Sequence, residues 1–189
     1  MHPVQPSSLK PDLVACARRQ DRSAWDVLLK HYQLPLYTYA AELTRDAEAS
    51  KDILQEAFVA AVKHIKSLRD DARFGSWLYG IVHQQCLLHF RRKKRSAERF
   101  SEAEDAVDTA IDETCLNSRD LLVREEACDE MLTHVERLPA AQRSTLLLYI
   151  LEDFSLEEIA GITEVPLGTV KSRLHHAKRA LRELVEKQP

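Results

Sequence analysis

The chain has 189 residues, room for one or two domains with cores of ordinary size. Only 4 are glycine, and good helix formers (Ala, Leu, Glu, Arg, Lys) dominate, which argues against a strand-and-turn architecture and predicts an all-α fold. The net charge of −3 hides a segregation into basic, acidic and balanced blocks: 16 Lys/Arg against 10 Asp/Glu in residues 1–97, 3 against 12 in 98–130, and 8 against 8 in 131–189.

Helical patterns are predicted from about Lys10 to Arg19, from Ser23 to Gln33 ahead of Pro35, from Leu36 to Thr44, from Lys51 to Leu68 and from Phe74 to Arg95. In the fourth, Leu54, Ala57, Phe58, Ala61, Ile65 and Leu68 form a core-facing stripe and leave Asp52, Gln55, Glu56 and Lys63 outside. The fifth packs through Phe74, Trp77, Leu78, Ile81 and Val82 and ends in five cations, Arg91 to Arg95. Only some of these can favour the helix macrodipole, and the remainder suits phosphate contact. From about Ser96 to Asp120 the chain turns acidic without a sustained apolar stripe, so it cannot offset its ordering entropy by burial and reads as a linker. Order is expected to resume near Leu121, with one helix reaching Leu138-Pro139 and another from Ala140 to about Glu152.

The last segment is the most informative. Ser155 and Glu158 form a capping-box pattern that starts a short helix, and Pro166 and Gly168 precede a second one. In that second helix Val170, Leu174, Ala177, Leu181 and Leu184 share one face, and Lys171, Ser172, His175, His176 and Arg179 occupy the other. Two short helices joined by a tight turn, the second with a cationic hydrogen-bonding face, make a helix-turn-helix whose second helix suits a major groove. The four cysteines show no C-x-x-C pair, no charged-then-apolar leader is visible and no apolar run nears the roughly 20 residues of a bilayer span, so a cytoplasmic protein with reduced thiols is expected. The histidines share no metal-ligand spacing with cysteine, and no nucleophile has a partner set. The reading is therefore no cofactor, no metal and no enzyme.

Asp52-Ile53-Leu54-Gln55-Glu56-Ala57-Phe58, Phe74 to Ile81 and Arg91-Arg92, followed by Leu138-Pro139, Gln142-Arg143, Glu157 to Ala160 and Val165 to His175, resemble the short sigma factors of the sigma-70 superfamily, the extracytoplasmic-function (ECF) type. The resemblance spans nearly the whole chain. It implies a region 2-like domain over 9–97, an acidic linker over 98–120 and a region 4-like domain over 121–187. Its implied partners are core RNA polymerase, promoter DNA and an anti-sigma factor that holds the two domains. Asp52, Gln55 and Glu56 would meet polymerase. Arg69, Arg73, Trp77, Gln84, Arg91 and Arg92 would meet the minus-10 element and its unstacked bases. Lys171, Ser172, Arg173, His175 and His176 would read the minus-35 element, with Pro166, Gly168, Thr169, Arg143 and Arg179 beside phosphates. The linker would thread toward the polymerase cleft.

The chain departs from the family pattern at four of these positions. Gln84 and Leu88 stand where Asn and Asp are frequent, Glu164 occupies a turn position that is commonly glycine, and His176 stands where Arg is frequent. A neutral imidazole cannot grip guanine with two donors as Arg does. Two rival readings are a dimeric operator-binding regulator that uses only the helix-turn-helix, and a helical decoy that engages polymerase or an anti-sigma factor.

Overall fold

A computed structural model describes residues 12–101, 135 and 137–186, with side chains described for 12–95, 135 and 137–183. Among the described residues there is helix and no strand. Seven helices position the sites: α1 (Asp12–Arg18), α2 (Arg22–Thr44), α3 (Ala47–His64), α4 (Phe74–Ser101), α5 (Ala140–Ile150), α6 (Leu156–Thr163) and α7 (Leu167–Glu186), with 3-10 turns at Ile65–Ser67 and Asp71–Arg73.

The first domain is built from α1 to α4. Asp21 caps α2 by accepting from the Ser23 and Ala24 amides, and the Trp25 indole donates to the Ala17 carbonyl at 3.0 Å, which ties α1 to α2. The two helices expected on either side of Pro35 are one helix of 23 residues. Proline removes one ladder bond and crowds the preceding turn. Here Leu28, Tyr32, Leu36, Tyr39 and Leu43 form an unbroken buried face across it, and each such side chain contributes on the order of 1.5–3 kcal/mol by burial. Packing outweighs the local penalty.

Helix α3 begins four residues ahead of the expected Lys51, because Asp46 accepts from the Ala49 amide and caps it there. Of its predicted stripe Leu54, Ala57 and Ala61 are buried and Phe58 is half-buried, and the helix ends at His64 short of the expected Leu68, with Ile65 and Leu68 still buried in the turn that follows. Helix α4 runs on to Ser101, past Arg95. Its start approaches α2 closely: a Cβ on Gly75 would lie 3.1 Å from the Tyr32 hydroxyl, so a side chain there must displace the tyrosine.

In the second domain α5 packs on α7 and α6 joins them. The stripe Val170, Leu174, Ala177 and Leu181 is buried as its period requires. The two domains also pack on each other, α6 against α4 and α5 against α2, and their buried side chains form one continuous cluster. The segment expected as a linker lies, from residue 102 to 120, outside the described residues, as does the helix expected from Leu121 to Leu138 apart from its last few positions. No helix among the described residues is long and apolar enough to cross a membrane.

Candidate nucleic-acid interface and partner surfaces

The helix-turn-helix is held by local bonds that its sequence encodes. The Glu158 carboxylate accepts from the Ser155 amide at 2.9 Å, and the Ser155 hydroxyl accepts from the Glu158 amide at 3.2 Å, completing the capping box. At the other end Glu164 takes the left-handed conformation, φ 54° and ψ 39°, and its amide donates to the Ala160 carbonyl. The turn thus keeps the shape that glycine would favour, at a steric cost on the order of 1 kcal/mol.

Pro166 and Gly168 are exposed at the start of α7, where the first amides lack intrahelical acceptors and the dipole is positive. A Cβ on Gly168 would meet nothing within 4 Å, so the glycine serves no packing inside the protein and leaves backbone open to an approaching anion. Lys171, Ser172, His175, His176 and Arg179 are exposed together on one face, while Thr169 and Arg173 are half-buried. Arg179 lies 3.7 Å from Glu183, an exposed pair one turn apart, and the Lys178 ammonium sits 4.4 Å over the Tyr149 ring.

On the first domain, Asp52, Gln55 and Glu56 are exposed on α3 and line a shallow open groove toward α4. Val59, 64 % exposed, continues the same stripe one turn on. Sequence reading missed it because a valine in an apolar helix looks like core. The loop before α4 is braced: Arg18 donates to the Leu68 carbonyl at 2.8 Å and pairs with Asp71, and Asp70 accepts from the Ala72 amide. Arg69 and Arg73 stand exposed on it, Arg73 3.7 Å from Asp70. Along α4, Trp77, Gln84 and Leu88 share a face at intervals of seven and four residues. Trp77 is half-buried, its ring 5.7 Å from that of Phe74, so it packs on the core and still keeps part of its surface in solvent. Arg91 to Arg95 are exposed, and Arg92 reaches Glu56 at 4.0 Å.

The back of α4 is buried. His83 is 4 % exposed and shares a hydrogen bond with the Tyr39 hydroxyl at 2.8 Å. Burial, with a smaller push from the Arg173 charge, lowers its pKa to about 4, so it is neutral at physiological pH. Burial also pushes the Cys86 thiol up to about 12, which leaves it without thiolate character.

One expected contact residue sits elsewhere. Arg143, placed beside phosphate by the sequence, is 6 % exposed and donates to the Leu43 carbonyl of the first domain at 2.8 Å. In this conformation it faces α2 and not solvent. Sequence reading also missed the seam around it: Tyr79 and Phe154 stack edge-on at 5.1 Å, Gly80 lies against the α6 backbone at Ile162, and Glu152 approaches the Tyr79 hydroxyl, its own carboxyl pushed up by burial. The one available signal was Gly80, an isolated glycine inside an apolar helical pattern.

Two helical domains, one carrying a helix-turn-helix with a free cationic face and the other a polar stripe beside a basic helix, define a DNA-binding protein with more than one macromolecular surface. Residues 28–96 match the Sigma-70 region 2 family and residues 128–181 match Sigma-70, region 4. The chain is 32 % identical to the RNA polymerase sigma-H factor of Pseudomonas aeruginosa, over 89 % of this chain and 90 % of that one. It is 29 % identical to the ECF RNA polymerase sigma-E factor of Escherichia coli K12, over 92 % and 93 %. Its fold is shared by the sigma factor RpoE solved in complex with the anti-sigma factor NepR from Bartonella quintana (TM-score 0.66, 23 % identity, 87 % of this chain and 98 % of that one). CnrH in complex with the cytosolic domain of CnrY gives a TM-score of 0.64 at 19 % identity, over 95 % and 98 %. The chain belongs to the ECF type of the sigma-70 superfamily. It is a non-enzymatic transcription initiation factor, with core RNA polymerase and promoter DNA as partners.

Proposed function

We propose a division of labour among the surfaces described above. Helix α7 enters the major groove at the minus-35 element, where Lys171, Ser172, Arg173, His175 and His176 meet base edges. Pro166, Gly168, Thr169 and Arg179 lie beside phosphates, and so does Arg143 once it leaves α2. Helix α4 and the loop before it take the minus-10 element. Arg69, Arg73, Arg91 and Arg92 hold the backbone, Gln84 bonds a base, and Trp77 stacks on one, a contact worth about 1–3 kcal/mol. The stripe of Asp52, Gln55 and Glu56, extended by Val59, docks on polymerase.

The observation that carries this reading is the exposed face of α7, where five polar or cationic side chains stand in solvent on a helix whose opposite face, Val170, Leu174, Ala177 and Leu181, is buried. The domains follow the same division: 9–97 for polymerase and minus-10, 98–120 as connector, 121–187 for minus-35. The protein works in the cytoplasm with polymerase, and an anti-sigma factor, such as the one in complex with the Bartonella quintana relative, keeps it from the enzyme. Transcription with core polymerase on a promoter library tests the reading. A single pair of spaced elements should be selected, and Lys171→Ala with Ser172→Ala should erase preference at the upstream element only. Binding of closed palindromic duplex without polymerase would instead support a dimeric regulator.

A further inference from the structure

Among the groups assigned to DNA, Arg69 sits on a stretch of backbone that a distant helix holds in place. Two 3-10 turns, Ile65–Ser67 and Asp71–Arg73, connect α3 to α4, and Leu68, Arg69 and Asp70 lie between them outside both turns. Leu68 is buried and extended, with φ −68° and ψ 118°. Arg18, the last residue of α1, donates from its Nη2 to the Leu68 carbonyl at 2.8 Å, and the same nitrogen pairs with the Asp71 carboxylate. The two attachment points bracket Arg69 and Asp70, and Arg69 stands exposed between them.

The anchor is itself fixed. Ala17, next to Arg18, is fully buried, and its carbonyl accepts from the Trp25 indole at 3.0 Å. Trp25 in turn packs on Phe74, the first residue of α4, with ring centroids 6.3 Å apart. The end of α1 and the start of α4 are thus both tied to α2, on either side of the turn. Within the turn, Asp70 accepts from the Ala72 amide at 3.0 Å and lies 3.7 Å from the Arg73 Nε. The Leu68 carbonyl shares a rigid peptide plane with the Arg69 amide. A bond to that carbonyl therefore sets the direction in which Arg69 leaves the turn. Arg18 is a cation too, but its side chain is only 35 % exposed and its charge is matched in place by Asp71.

We infer that Arg18 is a positioning residue for the minus-10 element: without touching DNA, it holds Leu68 and Asp71 and so aims Arg69 at the phosphate backbone. The inference rests on the sigma-factor reading, and within it on Arg69 as a backbone contact. Helix α1, which carries no residue of the DNA set, becomes part of the apparatus that captures the minus-10 strand.

Salt dependence supplies the test. The slope of log affinity against log salt counts phosphate contacts, about 0.7 for each on a single strand, and a general loosening of the fold leaves that count unchanged. Holoenzyme assembled from core polymerase and the full chain is titrated with a single-stranded oligonucleotide that carries the minus-10 sequence selected in the promoter library. Arg69→Ala should make the slope shallower by about 0.7. Arg18→Met keeps an unbranched side chain and removes both donations; it should reproduce most of that loss and add nothing to it in the double variant. Both bonds leave from one nitrogen, so Arg18→Lys should restore the wild-type slope. Base preference at the minus-35 element should be the same in every variant. A wild-type slope in Arg18→Met beside a shallower one in Arg69→Ala overturns the inference. So does full additivity in the double variant, which would make Arg18 a phosphate contact in its own right. A wild-type slope in Arg69→Ala would remove Arg69 from the DNA contacts and the inference with it, whereas a library that yields no minus-10 element would sink the sigma-factor reading itself. If Arg18→Met does not assemble with core polymerase, Arg18→Gln, neutral, shorter and suited to a half-exposed helix end, is read on the same slope.

Discussion

The two helices assigned to DNA differ in what lies behind their exposed faces. Behind α7 is a short apolar stripe from Val170 to Leu181 on a helix that packs on α5 and α6 of its own domain. Behind α4 lie Tyr79, Val82, His83 and Cys86, which serve the core of the first domain, and Tyr79 also meets the second. The reading face of α7 is therefore separable from stability. That of α4 shares its helix with a buried polar pair and an interdomain contact, so substitutions there should mix binding with folding.

The contrast can be broken at four points of decreasing effect. Replacing Lys171 and Ser172 together by alanine should cost about 1–3 kcal/mol per lost base contact in promoter discrimination, while the urea midpoint stays at the wild-type value because both are exposed. A shifted midpoint would show that α7 is not separable. Next is His83. Its neutral form is the folded one, so its contribution is complete above pH 6.5 and is lost as pH falls from 6.5 toward about 4, roughly 3 kcal/mol over the window at 1.36 kcal/mol per unit. Urea unfolding across that range should show the loss in wild type and a flatter profile in His83→Phe. The raised pKa of Glu152 acts in the opposite sense, favouring the folded form at low pH and withdrawing that favour as pH climbs through it. Third, Ser155→Ala removes the capping box at α6 and should lower stability by about 1 kcal/mol, with base preference at the upstream element retained in a competition assay. The smallest effect belongs to Glu183→Ala, which frees Arg179 from an exposed pair worth under about 0.5 kcal/mol. Stability should not move, and binding should become slightly tighter and more salt-dependent.

What could be read from residues alone follows from how local the cause is. The stripes of α3 and α7, the Ser155 cap and the exposed set from Lys171 to Arg179 all depend on spacing within one helix, and each stands where its period puts it. The continuity of α2 through Pro35 was not legible, because the rule against internal proline is local and the side chains that override it are held by α3 and α4. The seam escaped for a related reason. Tyr79 and Phe154 have the chemistry of ordinary core residues, and periodicity says that a face is buried without saying which domain buries it. The burial of Arg143 against α2 was not legible either, because an arginine has no sequence mark to distinguish a phosphate partner from the carbonyl end of a distant helix.

The left-handed residue at the bend has a consequence for how this position can vary. Exchanging Glu164 for glycine would relieve a steric cost on the order of 1 kcal/mol, but it would also widen the conformational freedom of the unfolded chain by a similar amount. Folding is thus nearly indifferent between the two. What distinguishes the two residues at this exposed position ahead of α7 is then charge alone: exchange for glycine would remove one negative charge from the helix-turn-helix and leave its stability almost where it was.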